Sequence, residues 1–376
     1  MSTFAKDIDL LDAHIGVFNR RNLRHVDWIL VLLVLALITI GLRTLHSASE
    51  GGSIYVKQAL FFGLGGVLAF VMVCIDYRFL ASLAPLAYVG SLVLLAAVFV
   101  VGATAKGGQH WLALGPLRLQ PSELSKVALV YMLAWYLTLV GAKIRRFRYF
   151  VLAWAIIAAV CGLILLQGDL GTMMALVPVP FIMLYVAGCR WRHLLLVALV
   201  GLAAAPVAWQ HLKPHQKNRL ITFIAPEAEP EKSGYQLIQA KIAVGSGRLT
   251  GKGFGQGTQA HFEFIPECHN DFIFALLAEE TGFVGAILVI GLFVAFLLRG
   301  LTLARDCPDM SATLLVVGAL SILAIHSFMN IAVTLGLMPV TGLPLPFFSY
   351  GGSFCLTTMI CIGTILSANV KRGLFE

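Results

Sequence analysis

The chain is built from apolar runs of near-uniform length, each about 20 residues, joined by short polar connections. No other feature restricts the fold as much. Wound as a helix, a run of this length matches the ~30 Å hydrocarbon layer of a bilayer. Inside lipid the backbone finds no water to bond, so only helices or a closed barrel can cross. Barrel strands would alternate apolar and polar residues over segments of about ten, and these runs do not alternate. Composition agrees: 59% of the 376 residues are hydrophobic and 12% charged, against roughly 25% charged in a soluble domain. The expected fold is an all-α polytopic membrane protein with about ten transmembrane helices.

Seven spans are expected first: Trp28–Leu45, Tyr55–Ile75, Leu80–Val101, Glu123–Val140, Tyr149–Leu166, Gly171–Gly188 and Trp191–Trp209. Three follow: Phe272–Leu298, Thr313–Leu335 and Ser353–Leu366. The chain thus divides into a leader (1–27), helices one to seven (28–209), a long extracellular loop between helices 7 and 8 (210–271), helices eight to ten (272–366) and a tail (367–376). The leader and tail are expected in the cytoplasm, and the first helix is read as an uncleaved anchor. Every second connection is basic, through Arg20, Arg21 and Arg24; Arg78; Lys143, Arg145, Arg146 and Arg148; Arg190 and Arg192; Arg299 and Arg305; and Lys371 and Arg372. The positive-inside rule then puts both termini in the cytoplasm and the long loop outside. The same pattern accounts for the net charge of +8, so no nucleic-acid partner is expected. The cysteines give no disulfide framework: six lie in or beside apolar runs, and Cys268 has no partner in its loop.

Ionisable side chains at membrane depth cost roughly 2.5–3.5 kcal/mol on insertion scales and mark functional sites. Glu123 and Lys126 share one face at the start of the fourth span. They read either as a packed ion pair, with Ser122 as helix cap, or as substrate contacts. Asp169 occupies a tight external turn, Gln167-Gly168-Asp169-Leu170-Gly171-Thr172, where helix capping and function are both open. Asp271 ends the long loop directly before an apolar run. It is either an N-cap or a carboxylate at the lip of a cavity, able to take a proton from a hydroxyl. Glu279 lies on the order of 12 Å along the helix axis from Asp271, beyond the ~5–9.5 Å of paired glycosidase carboxylates. A two-carboxylate hydrolase within this helix is not expected.

The long loop contains an amphipathic stretch, Tyr235–Ala243, which is expected to form a helix at the interface. Its glycines cluster from Gly245 to Gly257 but lack P-loop spacing. His211 and His215 have helical ligand spacing, with His261 and His269 further on, yet no Cys or carboxylate completes a metal set. The final external connection, Leu337 to Gly352, is apolar yet rich in helix breakers. Such backbone survives only inside protein or along a cavity, so a re-entrant wall is expected.

Four blocks carry a resemblance across nearly the whole chain after the leader. They are Gln120-Pro121-Ser122-Glu123-Leu124-Ser125-Lys126; Asp169-Leu170-Gly171-Thr172; Pro266 to Ala275 with Glu279-Glu280-Thr281-Gly282; and Gly342-Leu343-Pro344-Leu345-Pro346 with Ser349-Tyr350-Gly351-Gly352-Ser353. Together they resemble the signature blocks of the SEDS family (shape, elongation, division and sporulation). The run Gly247 to Gln259 is more similar to the elongation branch, RodA, than to the division branch, FtsW. Three positions depart from the family pattern: His110 before Trp111 in place of Arg, Gly168 in place of Pro, and Asn270 in place of Thr.

The resemblance implies a peptidoglycan glycosyltransferase that polymerises lipid II at the bacterial inner membrane. The 4-hydroxyl of one lipid-linked sugar attacks the anomeric carbon of another and expels a polyprenyl pyrophosphate. A positioned base taking the hydroxyl proton contributes typically 10²–10⁴-fold, a role that falls to Asp271. The leaving pyrophosphate calls for cationic side chains or a divalent ion, Mg or Mn; Arg219, Lys241 and Lys252 are the candidates in the loop. Glu123, Lys126 and Asp169 would shape the polar cavity. The partner implied is a class B penicillin-binding protein transpeptidase, PBP2-like. The rival readings are a lipid II flippase, a division-type polymerase and a non-catalytic scaffold.

Overall fold

A computed structural model describes residues 26–49, 52–105, 108–114, 117–225, 233–257 and 269–370. Among the described residues eight helices are long and apolar enough to cross a membrane, and two shorter apolar stretches accompany them, Leu170–Val186 and Trp191–Val207. In chain order the elements begin with α1 (Trp28–Ala48), α2 (Ser53–Cys74), α3 (Tyr77–Ser82) and α4 (Ala84–Val101). Strands β1 (Ala103–Ala105), β2 (Gly108–Leu114) and β3 (Leu117–Leu119) follow. Next come α5 (Pro121–Val140), α6 (Phe147–Gln167), α7 (Leu170–Leu176), α8 (Pro178–Val186) and α9 (Trp191–His211). The last are α10 (Pro214–Ile224), α11 (Ser233–Ser246), α12 (Ile273–Arg305), α13 (Met310–Thr334) and α14 (Gly352–Val370).

Helices α13 and α14 are the innermost, packed against each other and against α2 and α5. The outer helices turn Leu, Val and Phe outward; Leu64, Val93 and Leu202 are among the exposed side chains. A lipid-facing surface explains this, because hydrocarbon removes the penalty for exposing apolar area.

Four features were not read from the sequence in this form. The third span is split at Leu83, where Pro85 starts α4. The sixth is split at Val177, since Pro178 lacks the amide needed to continue α7. Strands β1, β2 and β3 form a three-stranded antiparallel sheet, with Ala103 opposite Trp111 and Leu112 opposite Leu119. The long loop contains two helices, α10 and α11, the second covering the expected amphipathic stretch.

Helix α12 breaks at Gly282, whose φ of 68° and ψ of −167° are non-helical. A break leaves amides and carbonyls unpaired, and the glycine-rich loop supplies their partners. The amides of Phe283 and Val284 donate to the carbonyls of Arg248 and Leu249, at 2.8 and 3.1 Å. The amides of Lys252 and Gly253 donate to the carbonyls of Glu279 and Glu280, at 3.1 and 2.9 Å. A Cβ on Gly251 would sit 2.1 Å from the Glu280 carbonyl oxygen, so the loop docks only with glycine there.

Candidate active site

One end of the bundle holds a cavity of about 700 Å³, within the ~300–1,000 Å³ typical of small-molecule sites. Its walls come from β2, the starts of α5, α7 and α14, helix α10, the residues before α12, and the irregular segment between α13 and α14. Helices α5, α7 and α14 reach the cavity at their starts, where backbone hydrogen bonding leaves polar groups to spare.

Asp271 lines this cavity, as do Glu123, Asp169 and Arg219. The carboxylate of Asp271 and the guanidinium of Arg219 flank one point: a Cβ on Gly342 would lie 3.7 Å from the first and 3.8 Å from the second. Asp271 is not the helix cap; Phe272 holds that position and no side chain caps it. The main chain of Asp271 is held by Asn330, whose amide nitrogen donates to the carbonyls of Asp271 at 3.0 Å and Leu343 at 2.8 Å. Arg219 donates to the Thr341 carbonyl at 3.3 Å.

Asp169 caps α7, accepting from the amide and hydroxyl of Thr172 at 3.0 and 2.7 Å, and still faces the cavity. Capping and cavity-lining coexist. Gly168, just before it, ends α6 with φ of 90°. Proline, locked near −65°, cannot adopt that conformation, so this turn depends on the glycine. Gly171 is equally constrained, because a Cβ there would lie 2.1 Å from the Thr341 carbonyl oxygen.

Helix α5 starts at Pro121 with Gln120 before it. Ser122 therefore sits within the first turn and is not the cap expected from sequence. Glu123 and Lys126 are 3% and 1% exposed and form an ion pair at 2.9 Å. Lys126 Nζ also lies 2.9 Å from Nε2 of buried His326; the ammonium can only donate, so this nitrogen accepts. The pair is packed, as one of the two expected descriptions had it; Glu123 reaches the cavity wall while Lys126 stands behind it.

The segment 336–351 is irregular and largely buried. Pro344, Gly351 and Gly352 contribute to the cavity wall. Pro346 and Ser349 lie behind it; the Ser349 hydroxyl accepts from the Leu345 amide at 2.8 Å and donates to the Asn270 carbonyl. Gln120 bonds Ser353 through its amide at 3.1 Å, and the Gly351 amide bonds the side chain of buried Gln58 at 3.1 Å.

The remaining candidates lie elsewhere. Lys252 pairs with Glu279 at 2.6 Å, and Glu280 accepts from Ser47 and from the Gly255 amide. Lys241 packs on Gly336 at the outer side of α11. None of these four lines the cavity. Among the described residues no three His, Cys, Asp or Glu side chains converge as metal ligands, and the candidate His261 lies outside those residues. Sequence reading did not single out His326, Asn330 or Gln216. The first two had a signal, as polar residues one helical turn apart in an apolar span. Gln216 bonds the Gly168 carbonyl at 3.0 Å and had none.

The helical bundle, with a cavity bordered by Asp271, Glu123, Asp169 and Arg219, defines a multi-pass membrane protein with a substrate-sized site. The chain belongs to the FtsW/RodA/SpoVE family of cell cycle proteins, whose family model matches residues 23–373; it is a SEDS glycosyltransferase. It is 37% identical to peptidoglycan glycosyltransferase MrdB of Escherichia coli (strain K12), covering 94% of this chain and 95% of that protein. It is also 37% identical to stage V sporulation protein E of Bacillus subtilis (strain 168), over 92% and 97% of the two chains. Among solved structures, a chain of a peptidoglycan synthase complex coordinating polymerization and crosslinking matches with a TM-score of 0.81, 37% identity, and 92% and 98% coverage. The rod shape determining protein RodA of Thermus thermophilus matches with a TM-score of 0.72, 35% identity, and 92% and 97% coverage.

Proposed function

We propose that the chain polymerises lipid II into peptidoglycan strands during cell-wall elongation, with Asp271 as the general base. The observation that carries this reading is the pairing of a carboxylate and a guanidinium across one point of the cavity, beside Gly342. The sugar 4-hydroxyl of one lipid II gives its proton to Asp271 as its oxygen bonds the anomeric carbon of another. The bond from that carbon to the pyrophosphate breaks, and undecaprenyl pyrophosphate leaves with the electron pair. Arg219 offsets its charge as a preorganised electrostatic term. Lys241 and Lys252 lie outside the cavity and have no part in this step; a divalent ion, Mg or Mn, would add to Arg219 in offsetting the pyrophosphate. Asp169 and Glu123 shape the cavity, and Lys126 fixes Glu123.

The enzyme sits in the bacterial inner membrane with both termini cytoplasmic and the cavity on the outer face. The alternation of basic connections supports this orientation. A PBP2-like class B penicillin-binding protein is its crosslinking partner. The glycine-rich block supports the elongation role, as does the likeness to RodA of Thermus thermophilus.

The test supplies labelled lipid II to the purified protein with its partner. Wild type should build glycan strands and Asp271→Asn should not. Flipping of lipid II by wild type without polymer would instead favour the transporter.

A further inference from the structure

Strand β2 carries His110 to the cavity wall. The ring is half-buried, and its Nδ1 is enclosed with no hydrogen-bond partner. Leaving a buried polar atom unpaired is costly, so such an atom calls for an explanation. The charged groups facing the ring come from several elements. Asp169 opens α7, Lys213 and Arg219 belong to α10 and the residue before it, and Glu123 of α5 and Asp271 line the same space. Burial first, with Lys213 and Arg219 adding to it against the opposing pull of Asp169, holds the imidazole below the usual His range.

We propose that His110 is a proton-coupled contact for the pyrophosphate of the lipid-linked substrate, neutral before docking and protonated once the phosphates lie beside Arg219. This rests on the reading that the cavity takes a prenyl-pyrophosphate sugar. The reason is electrostatic. Two phosphate charges near Arg219 and Lys213 offset the cations that disfavour imidazolium, and a nearby opposite charge favours the charged ring.

Docking therefore raises the pKa of His110. The added affinity is full at low pH and is lost as pH rises through the value of the docked state. Below the value of the undocked state the ring is already charged and the dependence levels off. One proton taken up per ligand changes affinity by at most about tenfold per pH unit.

The test measures binding of a short-chain prenyl diphosphate capped with N-acetylglucosamine to the full chain in nanodiscs. Both phosphates of this probe are esterified, so it lacks the proton that a terminal phosphate titrates near pH ~6. Calorimetry from roughly pH 5.5 to 8.5, in two buffers of different protonation enthalpy, reads affinity and proton uptake together. Wild type should bind more tightly as pH falls and take up close to one proton. His110→Gln should bind weakly with no pH dependence. His110→Arg, with a permanent charge, should bind tightly and be equally flat. A wild-type slope retained in His110→Gln would overturn the proposal; should that variant not fold, the same slope in His110→Arg would do so. No binding by either wild type or His110→Arg at any pH would reject the cavity reading itself. Binding without proton uptake would reject only the role of His110.

Discussion

Asp271 and Glu279 stand on the same stretch of chain, both acidic and both beside an interrupted helix, yet their surroundings differ in kind. Opposite Asp271 there is a cavity, and the nearby main chain is tied back by Asn330, Ser349 and Arg219. Opposite Glu279 the space is filled. Lys252 caps the carboxylate, and the glycine-rich loop pairs with two amides and two carbonyls beside the Gly282 break. The carboxyl of Glu280 is bound by the same loop and by Ser47. A charge beside a helix break is thus no guide to chemistry by itself. What separates the two is what lies beside the carboxylate: a substrate-sized cavity at Asp271, packed protein at Glu279.

The sharpest way to break this comparison is to neutralise each acid in turn. Asp271→Asn should lower polymer formation by about 10²–10⁴-fold with melting unchanged. Glu279→Gln should instead lower the melting temperature and leave turnover of the folded fraction close to wild type. Equal inactivation at equal stability would erase the distinction between the two sites.

Next in size is the buried pair behind the cavity wall. Lys126→Met strands Glu123 and takes a partner from His326, and breaking a buried pair costs about 3–5 kcal/mol. Thermal unfolding in detergent should show the loss. Glu123→Gln combined with Lys126→Met should recover most of it, because no unpaired charge remains. A double variant as unstable as the single would mean that the ion pair itself, and not the stranded charge, carries the stability.

Asn330→Leu tests the main-chain ties of Asp271. It leaves the carbonyls of Asp271 and Leu343 without this donor, at about 1–3 kcal/mol for the unpaired groups. The carboxylate would then be less firmly placed. Turnover should fall about tenfold, the equivalent of ~1.4 kcal/mol, while the KM for lipid II stays within about twofold of wild type, as uniform binding is untouched. A rise in KM with turnover unchanged would show that Asn330 binds substrate and does not position the base.

The spans were legible because lipid imposes one rule on every apolar run, and length alone applies it. The breaks at Leu83 and Val177 were signalled by Pro85 and Pro178, but the apolar runs continued across them and masked the interruption. The break at Gly282 had no local signal, since its cause is the loop some thirty residues earlier in the chain, which supplies the missing partners. At the site, Asp271, Asp169 and Glu123 were legible as charges near span ends, and Arg219 only as one of three candidate cations in the long loop. Lys241 and Lys252 looked equal to Arg219 in sequence, because nothing local tells a cation facing a cavity from one facing a carboxylate. Ser122 misled for a related reason: the helix starts two residues earlier, at Pro121 with Gln120 before it. The roles of His326 and Asn330 depend on which helix faces α5 and the last loop, and that is a property of packing.

The smallest expected effect lies at the edge of the filled region. The guanidinium of exposed Arg43, on α1, sits 4.5 Å over the ring of Phe254 in the glycine-rich loop. Contacts of this kind at exposed sites are worth about 0.5–1 kcal/mol. Arg43→Gln should speed protease cleavage near Phe254 by about two- to fivefold, the open population rising by that free energy. Polymer formation should not change, because the backbone bonds from Arg248 to Gly253 hold the loop to α12 without Arg43. Loss of activity in this variant would mean that the loop communicates with the cavity. The division between a filled region and a reactive one would then have to give way to a single coupled unit.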